Sequence, residues 1–413
     1  MEPLTVAGID LGSSKITSII ADAYPDEIIV RAINATPTKS IVKGIVKDLN
    51  QCALEIDASL SSAIYSSGVH IEKVYLSLTH KDVFSVPVEG GKTFAESKEI
   101  TREDVEEFIE SVRPPYETRG YLLRRIVREF IVDGTPGIKN PVGMFGKDLS
   151  VLVQDVLGPP GLLVNFERIF ERLGLKIIGV VPAILSAGEA VLTEEEKETG
   201  SILIDLGHGT TDIAIYRDGS PAFTATIPVG GANLDFDLMQ GLGVGLEEAQ
   251  RIKKAFVRAW VKPEPSEFDE LIDVKFFGRK EYSKLKKQRL IEVVLPRLEE
   301  WAGLIKGKIS ESGLLPLIPG GVILVGGGCY LRDILSFFNH HLGRPVRIGL
   351  PIGFSHLFDE FRAPQYASAL GIPAFARLER EEIPVRGLTA WEEFVAFFKD
   401  IYKSISSFIG KMR

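Results

Sequence analysis

The sequence predicts an α/β chain built on a duplicated unit, and three observations carry that prediction. The stretch GIDLGSSKITSIIADA, residues 8–23, returns as IDLGHGTTDIAIYRDG, residues 204–219. In each copy an apolar strand ends in an aspartate, turns through small residues and continues as a second strand. Strand patterns alternate with helical ones around both copies, and between them the texture changes over residues 82–161, which read as a small α+β insertion. A chain of 413 residues has room for two or more folding units with substantial cores.

The elements follow in order. TVAGIDLG, KITSIIADAY and EIIVRAINA read as strands separated by Gly-Ser-Ser and Pro-Asp turns. DLNQCALEIDASLSSAIYSSG has helical apolar spacing and ends on Gly68, a residue suited to a left-handed cap; VYLSLT is a strand. Inside the insertion, Thr101 with Asp104 three positions on opens a helix, and RRIVREFIVDG and KDLSVLVQDVLG read as strands. Gly158-Pro159-Pro160-Gly161 marks the exit. LLVNFERIFERLGLKIIGVVP is helix then strand, and AILSAGEAVLTEEEKETG is a helix whose acidic end, Glu194 to Glu198, is expected to be solvated. Residues 232–309 read as mostly helical, GGVILVGGGCYL as a buried strand running into three glycines, and LRDILSFFNHHLG as a helix closed by Gly343, with His340 and His341 at the surface.

Composition narrows the function. Two cysteines, Cys52 and Cys329, make neither a disulfide framework nor a metal-ligand spacing, so a reducing cytoplasm is expected. The residues before the first strand hold no basic region, long apolar core or cleavage site, so no leader is expected, and no window is apolar enough to span a bilayer. A net charge of −8 argues against nucleic acid as a partner. Within that acidic chain, residues 251–309 hold 15 Lys or Arg against 9 Asp or Glu, which fits either an acidic partner or a solvated helical face. The last segment, AWEEFVAFFKDIYKSISSFIGKMR, aligns Trp391, Phe394, Phe397, Phe398, Ile401, Ile405, Phe408 and Ile409 on one helical stripe, with charged residues opposite. That pattern fits a helix lying in a membrane interface, or one packed on the protein core.

The turns carry the chemistry. Small residues let backbone N–H groups approach phosphate oxygens, and hydroxyls of Ser13, Ser14, Thr210 and Thr211 can donate to the same oxygens. Asp10 and Asp205, at the strand ends, suit the water shell of a bound Mg²⁺. Two turns facing each other can clamp one phosphate tail. The triple glycine Gly326, Gly327, Gly328, followed by Tyr330, is either a plain turn or a flat seat for a base.

D-L-G-S-S-K, D-L-G-H-G-T-T-D and L-V-G-G-G-C-Y resemble the phosphate-1, phosphate-2 and adenosine motifs of the actin-like ATPases. Within that superfamily, residues 190–219, IPVGGANLDFDL, KGIVKDL, LIEVVLPRLEEW, GGVILVGGGCYLRDI and PVRIGLP are similar to the FtsA family of bacterial cell-division proteins. The resemblance implies an actin-like, ribonuclease-H-like duplicated two-domain fold, with an inserted subdomain and a C-terminal amphipathic helix. Residues 1–81 and 162–199 would form subdomain 1A, 82–161 the inserted 1C, 200–231 and 310–385 subdomain 2A, and 232–309 the basic 2B. Residues 386–413 would be a short linker and the membrane-targeting helix.

It also implies ATP and Mg²⁺ as cofactors. Gly12, Ser13, Ser14, Lys15, Gly207, His208, Gly209, Thr210 and Thr211 would hold the phosphates; Gly230, Gly231, Lys253, Gly326, Gly327, Gly328 and Tyr330 would hold ribose and adenine. The implied partners are the acidic tail of the tubulin-like FtsZ on Arg279, Lys280, Lys284, Lys286 and Lys287, further copies of the chain in a filament, the inner face of the cell membrane, and other division proteins through 1C. Two positions depart from the family: His208 stands where glycine is usual, and AE-x-x-K reads Ala249-Gln250-Arg251-Ile252-Lys253, so the acid is absent. Hydrolysing members of the superfamily place an acid or amide near the start of the helix after Gly179; Val180, Val181 and Pro182 stand there in this chain, so the resemblance implies slow or absent turnover. A pilus-assembly adaptor of the PilM type, or a small-molecule kinase, is the alternative on the same fold.

Overall fold

The computed structural model describes residues 3–112, 121–159 and 161–381. β1 (Leu4–Leu11), β2 (Lys15–Ala23) and β3 (Ile28–Pro37) form an antiparallel meander. The short hairpin β4 (Ile41–Val42) and β5 (Ile45–Val46) follows. Helix α1 (Leu49–Ser67) is capped by Asp48, whose carboxylate accepts from the N–H groups of Asn50 and Gln51, and ends on Gly68 in the left-handed region. β6 (Lys73–Leu78) then lies parallel to β1.

The insertion contains β7 (Phe84–Glu99), α2 (Arg102–Ser111), β8 (Tyr121–Val132), β9 (Thr135–Ile138) and β10 (Phe145–Gly158). Thr101 and Asp104 close the capping box at the start of α2. β10 pairs with β7 on one side and β8 on the other, and α2 covers one face around its own small core of Val105, Phe108 and Ile109. β7 is a 16-residue strand that the sequence pattern does not announce.

The chain returns through α3 (Leu162–Arg172), β11 (Lys176–Pro182), α4 (Ala183–Val191) and α5 (Glu194–Thr199). The acidic run is a separate short helix and only partly solvated. Lys197 is buried and donates to Glu189 at 2.7 Å, and Glu196 pairs with Arg347.

A second meander, β12 (Ser201–Leu206), β13 (Thr211–Arg217) and β14 (Ser220–Ile227), repeats the first. Helices α6 (Gly231–Leu242) and α7 (Leu246–Phe256), the hairpin β15 (Leu271–Val274) and β16 (Ser283–Lys286), and the long α8 (Lys287–Glu311) build a lobe around Trp301, Leu298 and Leu238. β17 (Val322–Val325) runs parallel to β12 and into a 3₁₀ turn over Gly327–Tyr330. α9 (Ile334–Leu342), β18 (Val346–Ile348), β19 (Phe354–Ser355) and α10 (Ala367–Glu381) complete the described chain.

The strand orders are β11-β6-β1-β2-β3-β19 and β18-β17-β12-β13-β14-β7-β10-β8-β9. Each lobe is thus an antiparallel meander extended by parallel strands, the structural form of the sequence echo. The inserted sheet joins the second lobe through one pair, Phe84 opposite Ala225.

Residues 354–381 do not stay with the second lobe, as the 310–385 assignment expects. β19 pairs with β3, and α10 packs on α4 and β1 within the first core. Close backbone approach fixes this return: a Cβ on Gly371 would lie 1.6 Å from the Ser186 carbonyl oxygen, and one on Gly8 would lie 2.7 Å from Ile372. α4, small and apolar apart from Glu189, is buried between the two sheets.

Candidate functional site

The two aspartate turns meet over a cleft of about 1070 Å³. Each bend closes on its own backbone in the same way. A Cβ on Gly12 would lie 2.8 Å from the Lys15 carbonyl oxygen, and one on Gly207 would lie 2.7 Å from that of Thr210. The turns also approach one another, since a Cβ on Gly209 would reach within 2.9 Å of Ser13 Oγ. Ser13 Oγ is buried without a hydrogen-bond partner, an orphan hydroxyl between the two bends.

Three carboxylates and one lysine gather at the floor. Asp10 accepts from Ser77 Oγ at 2.8 Å; burial pushes its carboxyl up to about 6, against the pull of Ser77 and Lys15. Asp205 is pushed up to about 7, first by burial and then by Asp212 and Asp10. Burial also raises Asp212, whose oxygens accept from Thr79 and Thr226 at 2.6 Å and Thr210 at 3.2 Å. Burial pulls Lys15 down to about 8, with Asp10 and Asp205 opposing, and its ammonium lies 3.5 Å from the centre of the Tyr366 ring. Buried acids held above their ordinary range surround a site that a cation would stabilise.

The cleft is lined by Asp10, Gly12, Ser13, Ser14, Lys15, Asp205, Gly207, His208, Gly209 and Thr210 on the turn side. Gly231, Lys253, Gly326, Gly327, Gly328 and Tyr330 line the other end, with Gln250 and Lys254. Gly326 has φ of 86°, and a Cβ there would lie 2.2 Å from Asp205 Oδ1, so the triple glycine is pressed against the second aspartate. Lys253 donates to Asp235 at 2.7 Å and to the Gly231 carbonyl at 3.0 Å. His208 is lowered by burial and by Lys253, with Asp235 opposing, so its ring is neutral near pH 7.

Two predicted residues do not face the cleft. Thr211 is fully buried; its hydroxyl donates to the Val229 carbonyl at 2.8 Å and accepts from Trp301 Nε1 at 2.7 Å, so it ties α8 to the sheet. Gly230 caps α6, its N–H donating to Asn233 Oδ1 at 3.1 Å, and lies behind the lining. The sequence reading missed Ser77, Thr79 and Asp212. Asp212 stands in the D-L-G-H-G-T-T-D motif itself, and the two hydroxyls stand two apart at the end of a buried strand.

The basic patch divides. Arg279 stacks on the Phe276 ring, and Lys280 and Phe277 are both exposed, Phe277 by 85%. Lys284 and Lys286 are exposed and paired with Asp273 and Asp269, each at 2.9 Å. Lys287 is not a surface residue: it is 7% exposed and donates to Glu267 at 3.0 Å and Glu270 at 2.8 Å, because the start of α8 packs under the turn that carries those acids. Trp391, Phe394, Phe397, Phe398, Ile401, Ile405, Phe408 and Ile409 lie outside the described residues. Among the described residues no helix is long and apolar enough to cross a membrane.

Duplicated sheets flanking a cleft floored by paired aspartates define the actin-like ATPase fold. A chain of a PilM-PilN type IV pilus biogenesis complex has the same architecture, with a TM-score of 0.63 at 15% identity over 90% of this chain and 98% of that one. So does MreB 5 of Spiroplasma citri bound to AMPPNP, at 0.53 and 12% over 91% and 97%. At those identities the likeness concerns the fold alone.

The chain belongs to the FtsA family of cell-division proteins. The family profile for cell division protein FtsA matches residues 202–371, and that for the SHS2 domain inserted in FTSA matches residues 81–157. Cell division protein FtsA of Borreliella burgdorferi is 32% identical over 372 residues, covering 89% of each chain. That of Escherichia coli is 29% identical over 378 residues, again 89% of each. The chain is therefore a cell-division protein, and the pilus adaptor shares only its architecture.

Proposed function

We propose that this protein is a nucleotide-switched adaptor that binds ATP with Mg²⁺ in the cleft, assembles with further copies of itself, and tethers an FtsZ polymer to the inner face of the cell membrane. The observation that carries the nucleotide reading is the pair of turns facing each other above Asp10 and Asp205, both protonated more readily than an ordinary carboxylate. The donor set fits. Ser13 Oγ has no partner, the turn backbones are open to phosphate oxygens, and the buried acids suit a hydrated divalent ion, which when bound would neutralise phosphate charge. Lys15, which lines the cleft among Asp10, Asp205 and Tyr366, is assigned to the phosphates. Ala183, at the start of α4, offers no acid or amide to the cleft, which supports slow turnover.

Tail capture is assigned to the exposed Arg279 and Lys280, contacts with other division proteins to the inserted block 82–161, and membrane attachment to the stripe from Trp391 to Ile409. Two experiments test this reading. Calorimetric titration with Mg-ATP should give binding that Asp10→Ala and Asp205→Ala weaken at least about tenfold; equal affinity in the variants removes the metal assignment. Liposome co-sedimentation with ATP should pellet the full chain and not a chain ending at Thr389. If both pellet or neither does, the terminal helix is not the anchor.

A further inference from the structure

Strand β6 and the residue that follows it hold a carboxylate from each lobe. Ser77 Oγ donates to Asp10 Oδ1 of the first lobe at 2.8 Å. Thr79 Oγ1, two positions on and on the same side of the extended chain, donates to Asp212 Oδ1 of the second lobe at 2.6 Å. Asp212 is buried and sits opposite Thr226 in the β13–β14 ladder, which supplies a donor of the same length from its own lobe. The β4–β5 hairpin lies against Thr79, because a Cβ on Gly44 would fall 1.9 Å from the Thr79 carbonyl oxygen. From that hairpin, Lys43 Nζ reaches across to the Pro228 carbonyl at 2.6 Å. Thr79 and Asp212 both line the cleft.

We propose that Thr79 is a positioning residue for the bound nucleotide: through Asp212 it ties the second lobe to the first at the cleft floor and sets how fast the nucleotide leaves. The inference rests on the reading of the cleft as a Mg-nucleotide site. A hydrogen bond from a neutral hydroxyl to a buried carboxylate is strong, and this one spans two bodies that must separate to open the cleft. The Thr226 bond, to the same oxygen, spans nothing. The two hydroxyls therefore have one acceptor in common and different mechanical roles.

The test compares release of a fluorescent, ribose-labelled ATP from the Mg²⁺-loaded full chain after mixing with excess unlabelled ATP. Thr79→Val should raise the release rate about tenfold, the order set by one hydrogen bond to a charged group. Thr79→Ser should return it to near the wild-type rate. Thr226→Val should lower thermal stability while leaving release within about twofold of wild type. Release from Thr79→Val at the wild-type rate overturns the proposal. So does equal acceleration by Thr226→Val, which would mean that the carboxylate's solvation, and not the bridge between lobes, governs release. Absence of labelled ATP binding by the wild type would remove the cleft reading itself, and the inference with it.

Discussion

The two turns share one backbone and carry opposite chemistry. Aligned on their aspartates, Ser13 corresponds to His208, Lys15 to Thr210, and Thr17 to Asp212. Across the strands the first turn sets Asp10 opposite Thr17, and the second sets Asp205 opposite Asp212. One half thus brings a cation stacked on Tyr366, and the other brings a second acid within a ring of hydroxyls. Two copies of the first half would cancel their acids with lysines and leave little net attraction for a metal ion, and two copies of the second would set four acids against phosphate. Duplication supplies a symmetric cradle, and divergence at two positions gives it the polarity that a metal-bound polyphosphate requires.

The largest expected effect tests that polarity. Both aspartates have folded pKa values above the unfolded value of 3.8, so between about pH 4 and 7 the native protein binds more protons than the unfolded chain. The contribution of these two groups to the stability of the free protein should therefore fall as pH rises through that window. Asp205→Asn removes the ionising group and should stabilise the metal-free protein at pH 8 by on the order of 3 kcal/mol, a gain that vanishes near pH 4. Asp10→Asn should gain less, because Ser77 and Lys15 already favour the Asp10 anion. Denaturant unfolding across pH 4 to 8 measures both. A larger gain from Asp10→Asn would break the proposed asymmetry.

The next effect tests the symmetry of the backbone. Gly12→Ala and Gly207→Ala each force a methyl group within 3 Å of a carbonyl oxygen, by distances of 2.8 and 2.7 Å. Each should cost roughly 1–3 kcal/mol in chemical unfolding, and the two costs should agree within about 0.5 kcal/mol. Clearly unequal costs would mean that the bends are alike in sequence and differ in the strain they tolerate.

What the sequence made legible follows the same division. The echo around Asp10 and Asp205, the Thr101 cap and the Gly68 and Gly343 stops are local signals, and the fold obeys them. β7 escaped because Gly90-Gly91 and a run of exposed polar residues erase its alternation; it is held by β10, far along the chain. The return of α10 to the first lobe depends on the backbone approach of Gly371 to Ser186, which no periodicity records. Lys287 reads as one more charge in a basic run until Glu267 and Glu270 fold over it. The Thr79–Asp212 bond joins residues 133 positions apart, so only the packed lobes disclose it.

The smallest effect separates a turn residue that holds the fold from those that face the cleft. Thr211 corresponds to Ile16 of the first turn, and both are fully buried, so a valine fits the shape of either position. Thr211→Val keeps the volume and removes both the acceptor of the Trp301 indole N–H and the donor to the Val229 carbonyl. The expected cost is about 1–2 kcal/mol of stability, with Mg-ATP affinity within about twofold of wild type. Ser13→Ala, at the orphan hydroxyl between the turns, should do the reverse, leaving stability nearly unchanged and weakening the nucleotide. Unfolding midpoints and calorimetric titration of the two variants together decide the matter. If Thr211→Val weakens binding as much as Ser13→Ala does, then the wall behind the second turn is coupled to the phosphates more tightly than that behind the first, and the comparison must shift from the turns to the helices that support them.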